Sequence, residues 1–227
     1  MTQNGASNLR LMAITVNIVE DHPLMQKGME MTLKAETGIE VTGMASTAEE
    51  AIDLVEKTRP DVAIVDISLP GMSGLELIKV LRAKRDDLKV LVVSRHDEEL
   101  FAERAVRAGA QGYIMKIHAG EQIAEAVRKI AAGGVYLSEQ VSNKLLMNLT
   151  GGSNTGEKSP YELLSDRELD VFRMIGKGRP TKEIAQRMHI SSKTVDTYKS
   201  RIREKLNFAD GSQLLRMAMQ WVREKEL

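Results

Sequence analysis

Between residues 14 and about 132, short β-branched and apolar runs alternate five times with segments of helical periodicity. That alternation restricts the fold more than any other feature, because strands joined through helices run parallel and are covered on both faces. Strands are predicted at ITVNIV (14–19), IEVTGM (39–44), DVAIVD (61–66), KVLVVS (89–94) and GYIM (112–115). Helices are predicted near 23–36, 47–58, 74–84, 98–108 and 120–132, with Gly38, Pro60, Gly71 and Gly109 as punctuation. The fold class is therefore α/β, a five-stranded parallel sheet wound on both faces.

From Leu164 onward there is no strand-like run, only helical segments near 166–176, 181–189, 192–206 and 212–224. A small all-α domain is expected there, and 227 residues suffice for two cores. Between the two parts, 134–160 is expected to hold one short helix and then a small, polar linker, TGGSNTGEKSP (150–160). The predicted division is a tail at 1–12, an α/β domain at 13–133, the linker at 134–160 and a helical domain at 161–227.

The net charge of zero conceals an asymmetry: the first 157 residues carry five surplus acids, the last 70 five surplus bases. A basic small domain suggests nucleic acid as its partner. The absence of cysteine removes disulfides, thiolate zinc sites and cysteine nucleophiles together. His22, His96, His118 and His189 are scattered without ligand-like spacing, so a histidine-rich metal site is not expected. No apolar run approaches the roughly 18 residues that span a bilayer, and the opening MTQNGASNLR lacks a signal-peptide core, so a cytoplasmic location is expected.

In open parallel sheets, ligands bind at the carboxyl ends of the strands. Here the first strand ends in Glu20-Asp21 and the third in Asp66, so three carboxylates converge on one edge. A hard divalent cation such as Mg²⁺ is the usual means of holding such a cluster ionised. The fourth strand ends in Ser94, a hydroxyl donor, and the fifth in Lys116, a point cation. A carboxylate nucleophile, a metal, a cation and a hydrogen-bond donor are the parts of phosphoryl transfer.

These residues resemble the receiver domain of two-component response regulators, over roughly 13–133. The resemblance rests on VEDHP, Asp66 within VDISLPGMSG, Ser94, Lys116 in GYIMK, and Tyr113 three residues before that lysine. It implies a flavodoxin-like fold and a phosphoryl group accepted by Asp66 from a sensor histidine kinase. It implies that Asp21, Asp66 and the Ser68 carbonyl hold Mg²⁺, with Glu20 acting through water, and that Tyr113 is a switch residue. Two departures stand out: Arg95 after Ser94, where a smaller or uncharged residue is common, and Ile117 after Lys116, where proline or an acid is usual. Arg95 is a candidate gate.

In LSDRELDVFRMIGKGRPTKEIAQRMHISSKTVDTYKSRIREKL, Ser165 and Glu168 form a capping box and Ser191 or Ser192 caps the third helix. Val195, Tyr198, Ile202 and Leu206 are spaced to face a core, leaving a polar, cationic outer face suited to a major groove. The segment resembles the LuxR-type helix-turn-helix, and the pairing resembles the NarL/FixJ class. That resemblance implies Lys193, Thr194, Asp196, Thr197, Lys199, Ser200 and Arg201 at the DNA, with Thr181 and Lys182 near the backbone. Leu214, Leu215, Ala218, Trp221 and Val222 form an apolar stripe on the last helix, the candidate dimer contact, part of which must pack inside its own domain.

The function expected is a transcriptional regulator that dimerises on promoter DNA when phosphorylated, with RNA polymerase a further candidate partner. It would catalyse only its own phosphoryl transfer and dephosphorylation. Dehalogenase-type phosphatases also use an aspartyl nucleophile, but need a second acid where this chain has Ser68. The remaining alternatives are an orphan regulator that binds DNA without phosphorylation and a helical protein-interaction domain with solvated charges.

Overall fold

The computed structural model describes residues 13–149 and 160–225. The expected tail at 1–12 and most of the polar linker lie outside these residues. The chain divides into two compact units, one reaching Ser142 and the other beginning at Asn143.

In the first unit β1 (Ile14–Val19), α1 (Pro23–Lys34), β2 (Ile39–Ala45), α2 (Ala48–Thr58), β3 (Val62–Val65), α3 (Gly74–Lys84), β4 (Lys89–Ser94), α4 (Glu98–Ala108), β5 (Gly112–Met115) and α5 (Ala119–Ala131) alternate as predicted. All pairings are parallel, in the order β2-β1-β3-β4-β5. The order reverses between β1 and β3, which opens a crevice at their carboxyl ends. Below it, Val16, Ile18, Ile64, Leu91 and Val93 pack against Leu33, Ile123 and Val127, all essentially buried. Apolar area removed from water on this scale is the main stabilising term.

Asp61 and Asp66 fall outside β3, at its two ends. Asp61 accepts from the Thr15 backbone and hydroxyl, while Asp66 enters the crevice. Residues after α5 do more than connect. The Tyr136 backbone N donates to Gln111 O and its carbonyl accepts from Tyr113 N, both at 2.9 Å, a parallel bridge on the free edge of β5. A Cβ on Gly112 would lie 3.1 Å from the Tyr136 carbonyl, so a glycine lets this segment approach. α6 (Glu139–Leu149) follows.

The second unit contains α7 (Asp166–Gly176), α8 (Thr181–Arg187), α9 (Ser192–Lys205) and α10 (Gly211–Lys225). Ser165 and Glu168 complete the capping box on α7, and Ser191 is the cap of α9. α8 ends two residues earlier than expected because His189 turns left-handed at φ 53°. Gly176 lets α7 and α10 meet: a Cβ there would lie 2.3 Å from the Ala218 carbonyl.

Candidate phosphoacceptor site and nucleic-acid interface

β1 and β3 are neighbours, with Val19 opposite Val65, so the residues that follow them are brought together. Glu20 is 1% exposed and Asp66 2%. One donor atom from each of Glu20, Asp21, His22 and Asp66 lies within 4.8 Å of the others. Lys116, delivered by β5, places its Nζ 2.8 Å from Asp66 Oδ2 and 2.5 Å from Glu20 Oε2. The Glu20 contact is short but poorly aligned for a hydrogen bond, and acts as a charge contact. Asp66 Oδ1 is buried and has no hydrogen-bond partner. Two buried carboxylates face one ammonium with the Asp21 carboxylate beside them, and hard oxygen donors held this close fit a small divalent cation.

The loop after Asp66 is pinned from two sides. Gly74 begins α3, its N donates to Ile67 O at 2.9 Å, and a Cβ on it would lie 2.0 Å from the Asp66 carbonyl. Ser68 Oγ lies 2.7 Å from His96 Nε2. His96 is buried, stacks on Phe101 with 4.6 Å between centroids, and donates from its backbone N to Ser94 Oγ at 3.3 Å. The Tyr113 hydroxyl donates to the His96 carbonyl at 2.9 Å. Burial pushes the Tyr113 phenol far above the usual tyrosine range, so it stays a donor. Ser94 and Tyr113 are thus both inside the molecule, beside the crevice.

Asp66, Glu20, Asp21, Lys116, Ser94, Ser68 and Tyr113 therefore gather around one crevice. Sequence reasoning missed three further residues. Gly74 closes on Asp66, His96 joins Ser68 to Ser94 and Tyr113, and His22 Nδ1 sits 3.0 Å from Glu20 Oε1 and 2.7 Å from Asp21 Oδ1. Only the position of His22 beside the acidic pair could have signalled this. Of the two departures, Arg95 lies at the mouth, with Nη2 3.3 Å from His22 Nε2, and Ile117 is 76% exposed.

In the second unit Val195 and Ile202 are buried and Tyr198 and Leu206 half-buried. α9 therefore turns Lys193, Asp196, Thr197, Ser200 and Arg201 outward, all exposed. Thr194 is half-buried beside the cap, its N donating to Ser191 Oγ at 3.0 Å. Lys199 is half-buried and donates to the Thr181 hydroxyl, while Lys182 is exposed. The apolar stripe of α10 divides. Leu214, Ala218 and Trp221 are buried in their own unit, where Trp221 meets Phe172 and Tyr161 at 5.8 and 5.9 Å between centroids. These three are the part of the stripe that packs inside its own domain; Leu215, 43% exposed, and half-buried Val222 remain outside it, together with exposed Met219.

Residues 16–128 match the family model of the response regulator receiver domain, and 162–218 that of bacterial regulatory proteins of the luxR family. The response regulator GacA of Pseudomonas aeruginosa is 34% identical over 206 residues, covering 91% of this chain and 95% of the relative. The oxygen regulatory protein NreC of Staphylococcus carnosus is 34% identical, covering 89% and 95%. A solved structure of RcsB from Salmonella enterica serovar Typhimurium, bound to promoter rprA with phosphomimetic BeF3-, has a TM-score of 0.63 at 24% identity, covering 90% and 97%. At that identity the likeness concerns the fold alone.

Proposed function

Because the chain belongs to the NarL/FixJ class of two-component response regulators, joining a receiver domain to a LuxR-type DNA-binding domain, we propose that Asp66 is its phosphoacceptor. The observation that carries this reading is Asp66 Oδ1, buried without a hydrogen bond while Oδ2 is held by Lys116. One oxygen is oriented and the other is left to react. Transfer forms a bond between Oδ1 and phosphorus while the P–N bond of a kinase phosphohistidine breaks, its nitrogen keeping the electron pair and taking up a proton.

Lys116 lies where an equatorial phosphoryl oxygen would need a cation. Ser94 Oγ accepts from His96 N, and its O–H, which neighbours the Tyr113 hydroxyl, would turn to donate to a second oxygen. Mg²⁺ held by Asp21, Asp66 and the Ser68 carbonyl, with Glu20 through water, would neutralise charge on the transferred group. The crevice acts only on its own Asp66, since Ser68 stands where a hydrolase would need a second acid. Among the described residues no helix is long and apolar enough to cross a membrane, in keeping with a cytoplasmic regulator.

The output is binding of promoter DNA through α9, whose polar, cationic outer face suits a major groove. One short helix reads few base pairs, so a homodimer on paired half-sites is the working form. Leu215 and Val222 are the residues of the α10 stripe left for that contact. Incubating the full chain with acetyl phosphate and Mg²⁺ should add one phosphoryl mass, and none to Asp66→Asn. An equal mass gain in that variant would overturn the assignment.

A further inference from the structure

The outer face of α9 carries an unusual centre. Asp196 is 64% exposed at its side chain, and its ionic neighbour is Lys199 Nζ at 3.8 Å. Lys199 Nζ also donates to the Thr181 hydroxyl on α8, which holds that ammonium back from the outer face. Next to Asp196, the Thr197 hydroxyl donates its proton to the Lys193 carbonyl at 3.0 Å. Its oxygen therefore faces outward with lone pairs only. Two adjacent side chains on the reading face are thus acceptors, flanked by the donors Lys193, Ser200 and Arg201, all exposed.

An ionised carboxylate has no proton to donate, and phosphates repel it. In the major groove, guanine offers two acceptors and thymine one, so Asp196 is unfavourable beside either. The cytosine amino group is a donor with no acceptor on the same base edge, whereas the adenine amino group adjoins N7. We propose that Asp196 is a specificity-determining residue that selects cytosine at one position of each half-site, chiefly by excluding guanine and thymine. The proposal rests on the DNA-binding reading above. Lys199, tethered to Thr181, lies 3.8 Å from the carboxylate on the protein side, and the phosphate contacts come from the flanking cations.

Because Asp196 is exposed and makes no core contact, its variants keep the fold. The test is selection of bound duplexes from a randomised pool by full-length protein, followed by sequencing, for the wild type, Asp196→Asn and Asp196→Ala. The wild type should enrich cytosine at one position per half-site over guanine or thymine by roughly five- to a hundred-fold, the size of a good base contact. Both variants should lose that preference at that position and keep the others. Their affinity for random duplex should rise a few-fold as one repulsive charge is removed.

Specific binding by Asp196→Ala with an unchanged base profile would overturn the proposal and leave the DNA reading intact. Equal weakening at every position would overturn it too, because Asp196 would then be a structural residue. A wild-type protein that selects no sequence would instead overturn the DNA reading and this inference with it.

Discussion

Arg95 Nη2 lies 3.3 Å from His22 Nε2, joining residues 73 positions apart across the mouth of the crevice. A guanidinium only donates, so Nε2 accepts and the ring proton sits on Nδ1. Nδ1 is the atom that faces Glu20 and Asp21, at 3.0 and 2.7 Å. The imidazole thus donates to Glu20 and lies against Asp21, while the Lys116 ammonium faces Glu20 and Asp66.

Removing the arginine frees that histidine and opens the mouth to water. Arg95→Met should shorten the lifetime of phosphoryl-Asp66 by up to about five-fold, the kinetic equivalent of an exposed charge contact of up to about 1 kcal/mol. Decay followed by intact mass after donor removal measures it, and identical lifetimes would contradict a gating role.

Lys116 is the cation between two buried carboxylates. Lys116→Ala leaves Glu20 and Asp66 without it, and removing one partner of a buried pair costs about 3 kcal/mol or more. The thermal midpoint of the receiver should drop, and millimolar Mg²⁺ should restore part of it, because the cation replaces the missing charge. A variant as stable as the parent without Mg²⁺ would mean that the carboxylates are not interdependent. The variant should still accept a phosphoryl group, but its DNA affinity should no longer respond to it.

Gly74 touches the phosphoacceptor through the backbone. Adding a methyl group 2.0 Å from the Asp66 carbonyl forces the loop away. Gly74→Ala should destabilise the receiver by about 1 to 3 kcal/mol, as overpacking does, and slow labelling by acetyl phosphate. Gly28→Ala is the control, since nothing lies within 4 Å of its Cβ. Equal melting curves for the two variants would sink the claim.

Glu168 ties the start of α7 to the end of α9. Burial alone would raise its carboxyl, but the Lys205 ammonium at 2.6 Å and the Ser165 cap outweigh it and hold it below its ordinary value of 4.5. A depressed folded value means stability that is present above about 4.5 and lost as pH falls through the folded value. The helical unit should therefore weaken on acidification below that point, and Glu168→Gln should flatten the dependence. Urea midpoints between about pH 3 and 7 read it, and parallel profiles for parent and variant would refute it.

What the sequence by itself determined about this protein is what short-range chemistry controls. Alternating β-branched and amphipathic segments placed all five strands and their helices, and Ser165 with Glu168 announced the start of α7, because strand faces and caps are settled within a few residues. The acidic pair, Asp66 and Lys116 could be gathered on one edge because parallel topology sends every strand end the same way. The tertiary structure decided everything that needs partners far apart in the chain. His22 meets Arg95, His96 meets Ser68 and Tyr136 extends β5, none of which a local pattern encodes. Helical spacing likewise put Leu214, Leu215, Ala218, Trp221 and Val222 on one stripe of α10. Only packing against Phe172 and Tyr161 assigned Trp221 to the core and left Leu215 in water, because periodicity defines a face and not the neighbour that covers it.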